Sequence, residues 1–164
     1  MRIAVTGTPG TGKTSATKRL EEEYDVLHLN DAIEREGLYT GRDEERDSLV
    51  VDLEALREYV GDREGIVESH LAHHLPADRV VVLRCDPESL EARLRERGES
   101  EAKAEENAES EELDLILSEA VAEHGLESVY EIDTTDRSPE EVAREIERVM
   151  AGDREPSAGE VTFS

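Results

Sequence analysis

Gly7-Thr8-Pro9-Gly10-Thr11-Gly12-Lys13-Thr14 satisfies every fixed position of the pattern G-x-x-x-x-G-K-[ST]. Its setting gives the match its weight. The apolar run Ile3-Ala4-Val5 leads into it and a helix-compatible stretch over residues 15–23 follows. Strand, loop and helix in that order form the context in which the pattern makes a phosphate-binding loop. Glycines let main-chain N–H groups turn inward and approach a phosphate closely. A helix beginning just after Gly12 adds its positive dipole end and unpaired donors. Lys13 then reaches the outer phosphates of a nucleoside triphosphate, and the Thr14 hydroxyl can join a Mg²⁺ shell. The stretch predicts a triphosphate-binding α/β protein.

Outward from the loop, strand and helix signals alternate, which predicts βαβ units and a mostly parallel sheet of five strands flanked by helices. Val26-Leu27-His28-Leu29 reads as the second strand, followed by a short helix capped by Asn30 or Asp31 and ended by Gly37. Residues 38–51 read as a polar, irregular stretch with Tyr39, Gly41, Arg42 and Arg46. A helix over about 52–59 leads to a third strand, Ile66-Val67-Glu68. The run Arg79–Arg84 is the most apolar and is expected to be a central strand. Asp86-Pro87 opens a helix to Arg97, and Gly98 breaks it. After an acidic segment a long helix runs to about His124, then a fifth strand, Val129–Asp133. Ser138-Pro139-Glu140-Glu141 starts the last helix, with Ser138 as N-cap and Pro139 in the first turn. Residues 1–150 are expected to form one domain and 151–164 a frayed, flexible tail.

Composition narrows the setting. The 164 residues suit a single core, and 43 acidic against 19 basic side chains leave a formal charge of −24. Only Lys13, Lys18 and Lys103 are lysines. Runs such as Val80-Val81-Val82-Leu83 argue against disorder. An acidic, lysine-poor surface instead fits a salt-rich cytoplasm, where high salt screens self-repulsion. The charge excludes a broad nucleic-acid footprint. Cys85, the one cysteine, reads as a small core residue. No apolar run approaches the ~20 residues a bilayer span needs, so a cytoplasmic protein without membrane contact is expected.

Phosphoryl transfer requires a cradle, a metal, cations over the migrating group and a positioned acceptor. Glu68-Ser69-His70 closes the third strand, where a carboxylate can hold Mg²⁺ directly or through water. His70 either orients a water, polarises the γ-phosphate, or is a loop histidine with local hydrogen bonds. His73 and His74 lie close by without diagnostic metal spacing, so no dedicated zinc site is expected. Arg93 and Arg97, four apart, share a helix face as a phosphate clamp or as partners of nearby glutamates. Thr134-Thr135-Asp136 follows the last strand, where a purine edge could sit. Two inserts, 28–51 and 96–106, read as acceptor-binding and lid elements or as ordinary surface loops.

The loop, the Glu68-Ser69-His70 triplet and Leu90-Glu91-Ala92-Arg93-Leu94-Arg95-Glu96-Arg97-Gly98, with Lys103 and Glu106-Asn107 beyond, resemble the small adenylate-kinase-like family of archaea and eukaryotic nuclei (adenylate kinase isoenzyme six), in a haloarchaeal version. The resemblance spans about residues 1–150. It implies a broad-specificity nucleoside monophosphate kinase, ATP + AMP ⇌ 2 ADP, that also hydrolyses ATP. It places ATP contacts on Gly10, Gly12, Lys13, Thr14, Ser15 and Arg97, a metal at Thr14 and Glu68, and catalysis on Lys13, Glu68, His70 and Arg97. An acceptor-binding region falls at 28–51 and a lid at 96–106. It also implies late small-ribosomal-subunit maturation through transient binding of a small-subunit ribosomal protein. That last point supplies a second reading, an ATP-gated assembly factor with incidental kinase turnover. This chain departs from the family in Glu68, where aspartate is usual, and in Glu99, where an aromatic residue commonly follows the Arg-Gly pair. It also lacks the arginine-rich acceptor motif of ordinary adenylate kinases, leaving Arg35 and Arg42 as candidates for gripping AMP.

Overall fold

The computed structural model describes residues 1–45 and 48–163. Five parallel strands form one sheet in the order β2-β5-β1-β6-β7: β1 Arg2–Gly7, β2 Val26–His28, β5 Gly65–Glu68, β6 Arg79–Arg84 and β7 Val129–Asp133. β1 lies at the centre with β6 beside it, because both carry apolar side chains on both faces. Alternation then assigns the faces. Ala4, Val80, Val82 and Val129 pack on one side with Leu29, Ile33, Leu56 and Leu117. Ile3, Val5, Val81, Leu83 and Ile132 pack on the other with Ala16, Leu20, Val142 and Ile146. From β1 the chain winds to one edge and returns through β5, then crosses to β6 and β7. Open α/β sheets hold ligands at such a reversal, beyond the carboxyl ends of the strands.

The helices are α1 Lys13–Lys18, α2 Leu29–Glu36, α3 Leu53–Val60, α4 Pro87–Glu96, α5 Glu101–Glu112, α6 Leu115–His124 and α7 Pro139–Ala151. α7 begins as its sequence signals require: Ser138 Oγ accepts from the Glu141 N–H, and the Glu141 carboxylate caps back in a capping box. Asp52 and Asp86 cap α3 and α4 in the same way, each accepting a backbone N–H three residues on.

Four local expectations within residues 1–150 change, and a fifth at the C-terminal segment. First, the helix after the loop is short, because beyond Lys18 the backbone tightens into three-residue bonds such as Leu20 N–H to Thr17 O at 3.0 Å. Second, Leu29 opens α2 rather than closing β2, with His28 at the cap. Third, the described part of 38–51 is not irregular: β3 Tyr39–Asp43 pairs antiparallel with β4 Ser48–Val51, with a register irregularity between Tyr39 and Gly41. Arg46 lies outside the described residues.

Fourth, the single helix expected to end at His124 is broken into α5 and α6 at Asp114, in the left-handed region at φ 55°. Arg84, 1% exposed, is bonded at this break. Its Nη2 donates to the Glu111 carbonyl at 3.1 Å, which also accepts the Asp114 N–H at 3.1 Å in a three-residue bond, and it pairs with the Asp114 carboxylate. Its Nε donates to Glu111 Oε2 at 3.1 Å and its Nη1 to Glu131 Oε2 at 2.8 Å, both carboxylates buried. Glu131 in turn accepts from the Gly159 and Glu160 N–H groups. Ser157 N donates to Val129 O at 3.0 Å, and the Phe163 ring lies 5.3 Å from the Arg84 guanidinium. The segment expected to fray is therefore docked along β7. Buried Glu131 needs donors, and the end of the chain supplies them.

Candidate active site

The loop begins where β1 ends. Gly10 has φ 96°, and a Cβ there would meet Leu90 Cδ1 at 2.8 Å. Gly12, at φ 89°, is the N-cap of α1. Both positions require the conformational freedom of glycine. Thr11 closes the turn by donating its N–H and hydroxyl to Thr8 O, at 3.2 and 2.8 Å. Lys13 folds back over the mouth of the loop, its Nζ donating to Gly7 O at 2.9 Å and Thr8 O at 3.1 Å. Burial lowers its pKa to about 8, against the Glu68 carboxylate, which raises it, and with Arg97, which lowers it further.

Around this loop lies a cleft of about 800 Å³, large enough for a nucleotide. Gly10, Gly12, Lys13, Thr14, Ser15, Glu68, His70 and Arg97 all line it. The residues to which the resemblance assigns ATP contact, metal or catalysis thus line one cleft, whereas Thr135 and Asp136 do not. Thr14 Oγ1 donates to Glu68 Oε1 at 3.2 Å, so a hydroxyl and a carboxylate stand together at the sheet edge. Two adjacent oxygen donors of this kind fit a hard cation such as Mg²⁺. His70 is half-buried beside them. Burial, then the charge of Lys13, then His73 and His74 push its pKa down to about 4, which leaves a neutral imidazole at neutral pH.

The two lid-side arginines separate. Arg93 is anchored: Nη2 donates to Thr134 O at 3.1 Å, and Nη1 faces Gly10 O and Thr134 Oγ1, each at 3.4 Å. It braces the loop against the turn after β7. Arg97, the C-cap residue of α4, is exposed on the cleft, and its side chain makes no hydrogen bond or ion pair among the described residues. Neighbouring glutamates are paired by Arg95 instead, at 2.7 Å to Glu91 and 3.3 Å to Glu101. Arg35 donates to the Tyr59 hydroxyl at 3.2 Å and lies outside the cleft lining, as does Arg42.

Sequence reasoning missed His28. Its Nδ1 lies 2.6 Å from Glu68 Oε1 and its Nε2 2.7 Å from Glu21 Oε1. Burial lowers its pKa, but the hydrogen bonds to Glu68 and Glu21 outweigh that and leave it raised. Asn30, whose Oδ1 accepts from Ser69 Oγ at 2.8 Å, and Arg137 also line the cleft. Thr8 Oγ1 donates to Glu111 Oε1 at 3.0 Å, joining the loop to the buried Arg84 network. None of these pairs has a local sequence signature.

Residues 3–114 match the family described as "AAA domain". Over its full length the chain is 62% identical to a Natronomonas pharaonis protein, covering 98% of it, that is named "Putative adenylate kinase". The same name is carried by a Halobacterium salinarum protein, 60% identical over 100% of this chain and 98% of its own. It is carried too by an Archaeoglobus fulgidus protein, 50% identical over 94% of this chain and 85% of its own. Among solved structures, shikimate kinase from Acinetobacter baumannii in complex with shikimate is similar, with TM-score 0.64 at 19% identity over 93% of this chain and 94% of that one. The YorR protein from Bacillus subtilis, in complex with phosphorylated GDP, gives TM-score 0.63 at 18% identity over 93% of this chain and 97% of that one. Both share the fold: a parallel sheet with a phosphate-binding loop kinase architecture.

Proposed function

The chain belongs to the AAA domain family and to the archaeal group of adenylate-kinase-named proteins, and from that premise we propose that it is a nucleoside monophosphate kinase of the isoenzyme-six type, catalysing ATP + AMP ⇌ 2 ADP. The observation that carries the reading is the meeting of Lys13, Thr14, Glu68, His70 and Arg97 around one cleft of nucleotide size. An oxygen of the acceptor monophosphate attacks the γ-phosphorus of ATP, and the bond to the β,γ-bridging oxygen breaks, leaving ADP on both sides. Loop N–H groups and α1 hold the β-phosphate, with Gly10, Gly12 and Ser15 in contact. Lys13 leaves the Gly7 and Thr8 carbonyls for the outer phosphates. Arg97 swings from solvent over the migrating group, where charge develops. Thr14 and Glu68 hold Mg²⁺, which when bound neutralises charge on the outer phosphates.

His70, kept neutral, positions a water when no acceptor is present, and this gives the enzyme an ATPase side activity. Residues 1–150 are the kinase domain, with 28–51 closing on the acceptor and 96–106 acting as lid. The β3–β4 hairpin and the α4–α5 turn are the projecting elements that would move. Arg93 is assigned to bracing the loop, since its guanidinium is already engaged.

The charge of −24 favours one addition. An acidic surface suits transient holding of a basic small-subunit ribosomal protein during late 30S maturation in the cytoplasm, with release tied to ATP hydrolysis. The experiment follows ADP and inorganic phosphate separately in molar KCl, with and without AMP and with and without such a protein. AMP-dependent ADP formation exceeding phosphate release supports the kinase. Phosphate release indifferent to AMP and stimulated by the ribosomal protein supports the assembly factor. Neither activity would remove the proposal.

A further inference from the structure

Two imidazoles and two carboxylates meet at a place the phosphate chemistry does not use. The short 3₁₀ turn Ala72–His74 faces α6. His73 Nε2 lies 2.8 Å from Glu119 Oε1, while His74 Nδ1 is 2.9 Å from Glu123 Oε2 and its Nε2 3.7 Å from Glu119 Oε1. Glu119 and Glu123 stand one turn apart, so they share a face of α6. One donor atom each from His73, His74 and Glu123 lie within 4.8 Å of one another. His73 is 1% exposed, and its second ring nitrogen, Nδ1, is fixed 2.7 Å from Thr6 Oγ1. The His124 ring also ties α6 to this turn, its Nε2 lying 2.6 Å from His73 O.

We propose that this cluster is a binding site for a divalent transition metal of the zinc class, with His73 and His74 as nitrogen ligands and Glu119 and Glu123 as carboxylate ligands. Mixed imidazole and carboxylate donors suit zinc, cobalt or nickel, whereas magnesium takes oxygen alone. The Thr6 hydroxyl serves as the outer partner that metal-bound histidines require: with Nε2 on the metal, Nδ1–H donates to Thr6 Oγ1 and fixes the ring. Burial lowers the pKa of His73, against the Glu119 hydrogen bond, which raises it. With the cation on Nε2, the single ring proton of neutral His73 sits on Nδ1, so the metal takes the place of the Nε2–Glu119 hydrogen bond. The bound metal pins α6 to the 3₁₀ turn and, through Thr6, to the strand that enters the phosphate loop.

The test uses the full chain, stripped with a chelator and dialysed against Zn²⁺ in molar KCl, with bound zinc counted per chain and the thermal midpoint followed. Co²⁺ is used in parallel for its visible spectrum. One tightly held equivalent and a raised midpoint are expected. His74→Ala, and separately Glu119→Gln with Glu123→Gln, should weaken zinc at least as much as the 10- to 100-fold that loss of an outer partner costs. Glu68→Gln should retain zinc, which separates this site from the nucleotide cleft. Glu105→Gln with Glu109→Gln, an exposed pair on α5, should also retain it. All substitutions but that at the buried Glu68 are at exposed or half-buried side chains, and circular dichroism checks the fold of every variant. No stoichiometric zinc, zinc indifferent to His74→Ala, or equal loss in the α5 variant would overturn the proposal.

Discussion

Replacing Lys13 with methionine gives a sharp test of the loop's electrostatics. In the folded chain this ammonium has a pKa of about 8 instead of 10.5, burial being the main cause. The side chain is 7% exposed, so water screens it little. Between those two values the unfolded chain carries the proton and the folded chain does not, so stability rises with pH across that window. At 1.36 kcal/mol per pH unit, the wild-type chain gains about 2 kcal/mol from this group between pH 8 and pH 9.5. Below pH 8 the folded chain bears the full penalty, on the order of 3 kcal/mol. Lys13→Met removes the charge and with it the penalty. It also leaves the Gly7 and Thr8 carbonyls without their donor, at roughly 1–3 kcal/mol each where water cannot replace it. The two effects nearly cancel at pH 7, but only the first varies with pH. Urea unfolding in molar KCl, followed by circular dichroism at pH 8 and pH 9.5, isolates it: the difference between wild type and variant should change by about 2 kcal/mol. Equal pH slopes in the two proteins would show that Lys13 is not held in the loop as described. The same variant should lose both kinase and ATPase turnover.

His70→Ala should lower the rate of ATP hydrolysis on the order of 100-fold while changing nucleotide affinity far less, because a water-positioning group acts mainly in the transition state; parallel losses, read by turnover and by titration calorimetry, would make it a structural residue. In dilute buffer the chain should unfold partly and recover in molar KCl, as its −24 charge repels itself without screening; full ellipticity without salt would contradict this. Arg84→Met should cost about 3–5 kcal/mol, since it leaves Glu111 and Glu131 buried without their counter-charge. A thermal midpoint within a degree or two of wild type would refute that role.

Arg79–Arg84 shows what pattern alone can settle. Its unbroken apolar run requires cover on both faces, so its inner place in a parallel sheet follows from local chemistry. The phosphate loop is equally legible, because its geometry depends on glycines at fixed spacing and on a helix starting beside it. The capping box at Ser138 works over three residues and was visible for the same reason. The hairpin within 38–51 was not, since its strands are polar and half-exposed and give no clean alternation.

Sequence by itself determined the fold class, the loop and part of the set of residues that gather at the cleft, without His28, Asn30 or Arg137. Their spacing is short-range chemistry written within single βα units, and parallel sheets deliver the ends of their strands to one edge. Tertiary structure decided everything that depends on partners far apart along the chain. His28 reaches Glu68 across 40 residues, Arg84 binds Glu111 across 27 at the break between two helices, Glu131 draws in the C-terminal segment, and Thr6 orients His73 across 67. A buried charge or imidazole takes whatever complementary group the packed fold brings beside it, and no local pattern names that group in advance.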